Sequence, residues 1–257
     1  MSVLETRSCS IRFGGVQAAT EISIAVGEWE IVGIIGPNGA GKTTTFNIIT
    51  GFYTPNEGRV YFKGHDITEL SVHERSALGM GRTFQNVGMV KGSTVMENLK
   101  TAQHLRAEYA TIAGMLGIPR TMRTEAELAE RSELVLDLLD LRRLANEQVA
   151  GLPYGELKRV ELAVALATDP DILLLDEPTS GMGPEESEEL GDTLLELRKR
   201  FGLSIAMIEH HVPMVVRVCD YVYCLSFGQL LAEGPPDYVR NHPEVITAYL
   251  GADSEAS

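Results

Sequence analysis

The chain of 257 residues is 44% hydrophobic and 23% charged, and 36 acidic against 22 basic side chains leave a formal charge of −14. This size suits one α/β domain or a compact core with one inserted subdomain, large enough to bury a core without covalent staples. So acidic a surface repels nucleic-acid phosphates and counts against any nucleic-acid partner.

Cys9, Cys219 and Cys224 form neither a C-x-x-C pair nor a His/Cys array, and read as reduced packing residues of a cytosolic protein. No apolar run reaches the roughly 18–20 residues needed to span a bilayer. Met1-Ser2-Val3-Leu4-Glu5 lacks the basic start and apolar core of a signal peptide. Any membrane role is therefore expected to come through a partner.

In chain order, residues 8–13 and 20–26 carry short alternating stretches parted by Gly14-Gly15, the pattern of a small antiparallel sheet. Trp29 to Ile35 reads as a buried strand ending at a glycine-rich turn. Lys42 to Thr50 suits a helix, stopped by Gly51 and the turn Pro55-Asn56-Glu57-Gly58, and Val60 to Phe62 reads as a further strand. Between about 87 and 167 helical periodicity replaces strand signals. Leu134, Leu138 and Leu141 repeat at helical spacing, and Glu156 to Ala167 places Leu157, Val160 and Val164 on one face. After Asp169-Pro170 the strand–helix alternation resumes. Ile172 to Leu175 and Leu203 to Ile208 read as central strands around a helix striped by Leu190, Leu194, Leu197 and Phe201. Val222 to Leu225 and Gln229 to Ala232 predict a hairpin, and Glu244 to Leu250 a C-terminal helix. The expected units are 1–86, 87–167, 168–233 and a C-terminal extension, 234–257.

Gly36-Pro37-Asn38-Gly39-Ala40-Gly41-Lys42-Thr43 matches G-x-x-x-x-G-K-[ST] and lies between an apolar strand and a helix, the context this phosphate-binding motif requires. Its glycines let successive backbone N–H groups curl around an anion, and the helix N-terminus adds partial positive charge. Lys42 is placed to reach the β- and γ-phosphates and the Thr43 hydroxyl to ligate Mg²⁺, with Thr44 completing the nucleotide cradle. Ile172 to Leu175 deliver Asp176 to the carboxyl end of a parallel strand, where open α/β sheets bind ligands. Asp176 is a candidate Mg²⁺ ligand and the adjacent Glu177 a candidate base for the attacking water.

With these two motifs in place, the chain resembles the ABC-transporter ATPases over essentially its whole length. Gln85 matches the glutamine that senses Mg²⁺ and the attacking water. Leu152-Pro153-Tyr154-Gly155-Glu156 stands where the family has its signature helix, which caps the γ-phosphate held by the opposing subunit. His210 matches the switch histidine, with a hydrogen-bonding role at the γ-phosphate. Phe13 matches the aromatic that stacks on adenine, with a packing Phe as the alternative. Arg12-Phe13-Gly14-Gly15, Thr50-Gly51-Phe52-Tyr53, Met96-Glu97-Asn98-Leu99, Ile208-Glu209-His210 and Ala248-Tyr249-Leu250-Gly251 resemble the branched-chain amino-acid importer ATPases. The resemblance implies a P-loop NTPase (RecA-like) α/β core with an N-terminal antiparallel β subdomain and an inserted α-helical subdomain. It further implies ATP and Mg²⁺ as cofactors and ATP hydrolysis coupled to import. The implied partners are transmembrane permease subunits, a second ABC ATPase subunit in a homo- or heterodimer and, indirectly, a periplasmic substrate-binding protein. The implied location is cytoplasmic, peripheral on the inner membrane.

The sequence departs from the family pattern at four places. Pro153 replaces the signature serine, removing a hydroxyl and an N–H that could serve the γ-phosphate. Gly183 replaces an acidic residue in the loop after Glu177, and Leu157 and His211 replace commoner polar or acidic ones. These departures leave open a slow-hydrolysing, nucleotide-gated dimerisation module. The shared motifs also leave open another cargo, such as lipopolysaccharide, urea or an amide. A non-transport ABC protein is disfavoured, because the chain carries no coiled coil, tandem cassette or basic segment.

Overall fold

In a computed structural model, which describes residues 2–83, 89–103 and 125–255, the apolar strand residues divide between two cores according to their parity. The three central strands are β3 (Ile31–Ile35), β7 (Ile172–Asp176) and β8 (Ser204–Ile208), joined in parallel register. Successive side chains of a strand point to opposite faces. Thus Ile31, Ile35, Leu173, Leu175, Ile205 and Met207 join one apolar cluster. Val32, Ile34, Ile172, Leu174, Ala206 and Ile208 join the other. A sheet buried on both faces explains why these segments read as continuous apolar runs.

The first layer is an antiparallel sheet of β1 (Ser2–Phe13), β2 (Val16–Gly27), β4 (Glu57–Phe62) and β5 (His65–Asp66), in the order β2-β1-β4-β5. Between it and the central sheet lies α1 (Lys42–Thr50), which contributes Phe46, Ile48 and Ile49 to the shared core. A short helix α2 (Val72–Ala77) follows, entered through a Ser71–Glu74 capping box. It carries Arg75, which is 1% exposed and turns all of its bonding to carbonyls: Nη1 to Ile48 O and Ile49 O at 2.7 Å each, Nη2 to Thr68 O at 2.8 Å, and Nε to Leu70 O at 2.9 Å. A cation thus closes the C-terminal end of α1, where helix carbonyls lack partners. Burial lowers the Arg75 pKa to about 10.

Strand β6 (Met80–Arg82) then joins the edge of the central sheet. The helical layer comprises α3 (95–103), α4 (Glu125–Leu138) and α5 (Tyr154–Ala167), packed on the core of Ile31, Leu173 and Ile205 with α6 (Pro184–Phe201) and α7 (Val212–Val218). The hairpin β9 (Tyr221–Ser226) and β10 (Gln229–Gly234) completes the six-stranded order β10-β9-β3-β8-β7-β6. Two helices, α8 (Pro236–Arg240) and α9 (Pro243–Glu255), end the fold. Among the described residues the three cysteines are free and buried, and no helix is long and apolar enough to cross a membrane.

Candidate functional site

The loop between β3 and α1 is shaped by glycines that no other residue could replace. Gly36 has φ +147°, and a Cβ there would sit 2.2 Å from Leu225 O. Gly41, the residue before α1, has φ +94°, and a Cβ there would lie 2.8 Å from Ala18 O. The hairpin supports the loop from behind, with Gly228 N–H donating to Ala40 O at 3.0 Å. Lys42 is 6% exposed and curls back, Nζ donating to Gly36 O at 2.7 Å and Pro37 O at 2.9 Å. Burial lowers its pKa, against the opposing pull of Glu177, Cys224 and Asp176. A buried ammonium at a helix N-terminus, with only carbonyls as partners, is poised for an anion. Asn38 and Gly39 are exposed, Pro37 and Thr44 half-buried, Ala40 buried, and the Thr43 side chain is exposed.

Residues 38–44 line a cavity of about 480 Å³, whose far wall carries Glu177 and His210. Strand β7 ends at Asp176, and Glu177 takes φ +48°, a left-handed conformation rare outside glycine, with its N–H on Ile208 O at 3.0 Å. That turn aims Glu177 Oε1 at His210 Nε2, 2.9 Å away. Asp176 points the other way. Its Oδ2 receives Arg82 Nη2 at 3.2 Å, and Arg82 Nη1 also donates to Asn47 Oδ1 at 3.1 Å and Thr50 Oγ1 at 2.7 Å. Asp176 therefore lines a neighbouring hollow with Thr83 and Pro178 rather than the cavity that holds Thr43.

Behind the pair stands Glu209, only 2% exposed. Its Oε1 accepts from Thr179 N at 2.9 Å and Thr179 Oγ1 at 2.7 Å. Its Oε2 accepts from His210 N at 2.9 Å and His211 N at 3.1 Å. One buried carboxylate thus ties the turn after Glu177 to the turn that carries His210. The sequence reading assigned Glu209 no role, although a charged residue directly after the fully buried strand β8 is a signal that it needs partners.

Other expected residues are placed differently. Phe13, 44% exposed, meets Tyr53 edge-on at 4.9 Å between centroids, while Val16 and Phe227 line the cavity instead. Pro153 caps α5 without a side-chain bond, Tyr154 is 51% exposed, and Gly155 is half-buried. Glu156 Oε1 accepts from Arg143 Nη2 at 2.5 Å. This segment is not among the walls of the phosphate-loop cavity. Gln85 lies outside the described residues. A larger cleft of about 740 Å³ opens beside Trp29 and Tyr61, but both of its cations are paired, Arg7 with Glu5 and Lys63 with Asp171, each at 2.7 Å. Among the described residues no group of three His, Cys, Asp or Glu could hold a metal alone. One exposed hydroxyl and one carboxylate fit a hard cation only if phosphate and water supply its other ligands.

A parallel sheet, a glycine cradle at a helix N-terminus and a carboxylate–histidine pair across the cavity define a P-loop nucleotide-binding protein. Residues 19–180 match the family described as ABC transporter, and residues 229–255 that described as branched-chain amino acid ATP-binding cassette transporter. The high-affinity branched-chain amino acid transport ATP-binding protein LivG of Escherichia coli (strain K12) is 39% identical over 97% of this chain and 98% of its own length. BraF of Pseudomonas aeruginosa, of the same description, is equally similar, at 39% over 97% and 98%. Among solved structures, the ADP conformation of MJ1267, an ATP-binding cassette of an ABC transporter, is 33% identical. It aligns over 98% of this chain and 99% of that one with a TM-score of 0.83. The chain belongs to the ATP-binding cassette family of ABC transporters.

Proposed function

We propose that the chain is the ATP-hydrolysing motor of an importer for branched-chain or related amino acids. The observation that carries this reading is the Lys42 loop and the Glu177–His210 pair facing each other across one cavity. The cargo rests on relatives named for branched-chain amino acid transport and on the matching C-terminal segment.

ATP enters as substrate. The Lys42 ammonium exchanges the Gly36 and Pro37 carbonyls for β- and γ-phosphate oxygens, while the first N–H groups of α1 point at the same charge. Glu177 Oε1 takes a proton from the attacking water. As the water oxygen bonds the γ-phosphorus, the bond to the ADP oxygen breaks. His210, holding Glu177 Oε1, keeps the base aimed and has a second ring nitrogen for hydrogen bonding. Thr43, with Gln85, would hold Mg²⁺, whose charge balances the phosphates; Asp176 would join them only on leaving Arg82, which turns its carboxylate into the neighbouring hollow. Pro153, Tyr154, Gly155 and Glu156 stand away from this cavity and, on the family resemblance, would serve the site of an opposing subunit.

The motor works with transmembrane permease subunits and a second ATPase, and indirectly with a periplasmic binding protein, from the cytoplasmic face of the membrane. The segments 1–86, 87–167, 168–233 and 234–257 are its functional units, the first boundary falling outside the described residues. Glu177→Gln is the test. It keeps the shape, removes the base and is expected to trap ATP while cutting turnover of the assembled complex about a hundredfold. An unchanged rate would favour the slow, nucleotide-gated module. A pull-down from native membranes that recovers no permease would refute the transport role.

A further inference from the structure

We propose that Tyr249, on α9, is a positioning residue of the phosphate loop, and that α9 thereby sets the affinity of the nucleotide site. The inference rests on the reading of that loop as the nucleotide site. Strand β3 ends at Ile35, so the next N–H, that of Gly36, has left the sheet ladder. It donates to Tyr249 Oη at 2.9 Å, across 213 positions of sequence.

Gly36 is thereby held at both ends, its N–H by Tyr249 and its carbonyl by Lys42 at 2.7 Å. The Lys42 bond is given up when the ammonium turns to phosphate. The Tyr249 bond is independent of that movement and fixes where the cradle begins. Burial, with the Cys224 thiol nearby, pushes the Tyr249 hydroxyl up to about 12, so the acceptor is a neutral phenol at working pH. The ring is anchored one helical turn from Val245, which is 3% exposed in the core of Ile31, Leu173 and Ile205, and Tyr249 packs on that same core. This segment is also the one that matches the branched-chain cassette description. Whatever draws α9 away from β10 would uncouple the loop and release nucleotide.

The test is titration of the purified full chain with a fluorescent ADP analogue and Mg²⁺. Tyr249→Phe removes only the hydroxyl and leaves a buried N–H without its partner; Kd is expected to rise about fivefold. Leu197→Ala, on α6, opens the same core without loosening α9 or touching Gly36, and is expected to lower Tm while Kd stays within about twofold. A Tyr249→Phe Kd within about twofold of the parent, or equal weakening by Leu197→Ala, overturns the inference. Lys42→Ala is titrated alongside. Binding retained there overturns the nucleotide-site reading itself, whereas binding lost there with Tyr249→Phe unchanged overturns only the role of Tyr249.

Discussion

Replacing Glu209 by Gln asks whether the two catalytic turns depend on one buried anion. The carboxylate accepts four hydrogen bonds between 2.7 and 3.1 Å, two from Thr179 and one each from the N–H groups of His210 and His211. An amide keeps one acceptor oxygen and turns the other into a donor facing donors. The better flip turns the NH2 toward Thr179, whose hydroxyl can rotate to accept, so one bond is lost outright and the others lose their charge assistance, a charge-assisted bond being about 1.5–3 kcal/mol. Relaxation recovers part of this, so the expected loss of unfolding free energy is about 3 kcal/mol, measured by urea denaturation. Glu177 lies two residues before Thr179, and His210 follows Glu209 directly. Loosening both turns spoils a pair held at 2.9 Å, and displacement of this kind lowers kcat about a hundredfold. The Lys42 loop is untouched, so KM for ATP should stay within about twofold. Steady-state hydrolysis by the assembled complex provides the readout. A folded Glu209→Gln variant with normal kcat would show that the carboxylate serves the core alone. Thr179→Val, which deletes only the Oγ1 bond, should fall between parent and Glu209→Gln in both measurements.

Arg75→Met strips four buried carbonyls of their donor and should cost about 3–5 kcal/mol in urea unfolding; a loss under about 1 kcal/mol would mean that water or neighbours replace the guanidinium. Burial raises the Tyr223 and Tyr249 hydroxyls from 10.0 to about 12. Their contribution to stability is fully present below pH 10 and is lost as the pH rises toward 12, because the unfolded chain releases those protons first. Tm should therefore fall across that window, and Tyr223→Phe should flatten the slope. Pro153→Ser restores a hydroxyl and an N–H at the start of α5. In the assembled complex it should raise turnover about tenfold if it regains one donor worth about 1.5 kcal/mol in the closed state, and no gain would exclude Pro153 as a brake.

Local punctuation made parts of the fold legible. Lys42–Thr50 was readable to the residue because Gly41 and Gly51, both at positive φ, bracket it. Strand β1 begins at Ser2, earlier than its expected start at residue 8, because Ser8 at φ +45° sits in a bulge that breaks the alternation. Strand β2 starts at Val16, ahead of the expected 20, since Val16 and Gln17 are both exposed beside the turn and Ala18-Ala19 interrupts the alternation that begins after them. Leu141 does not continue α4: the helix stops at Leu138, Asp140 takes φ +52°, and Leu141 reaches the core from the following turn. The three-residue β6 is too short to show a period, and the six residues of α2 are too few to show a helical one despite its capping box. In the site, Lys42, Asp176, Glu177 and His210 stand out because each sits at a strand end or helix start. Arg82, Glu209 and Tyr249 act through partners 94, 30 and 213 positions away, which no local pattern encodes.

The braces of the phosphate loop have a consequence for the order of events during synthesis. Residues 36–42 leave the ribosome early, yet Leu225, Gly228 and Tyr249, which wedge and tether them, emerge only after some two hundred further residues. Loops closed over such spans come late, because their entropy must be spent before any contact rewards it. The nascent loop therefore waits as a slack glycine segment, and tight retention of triphosphate becomes a mark of a finished chain.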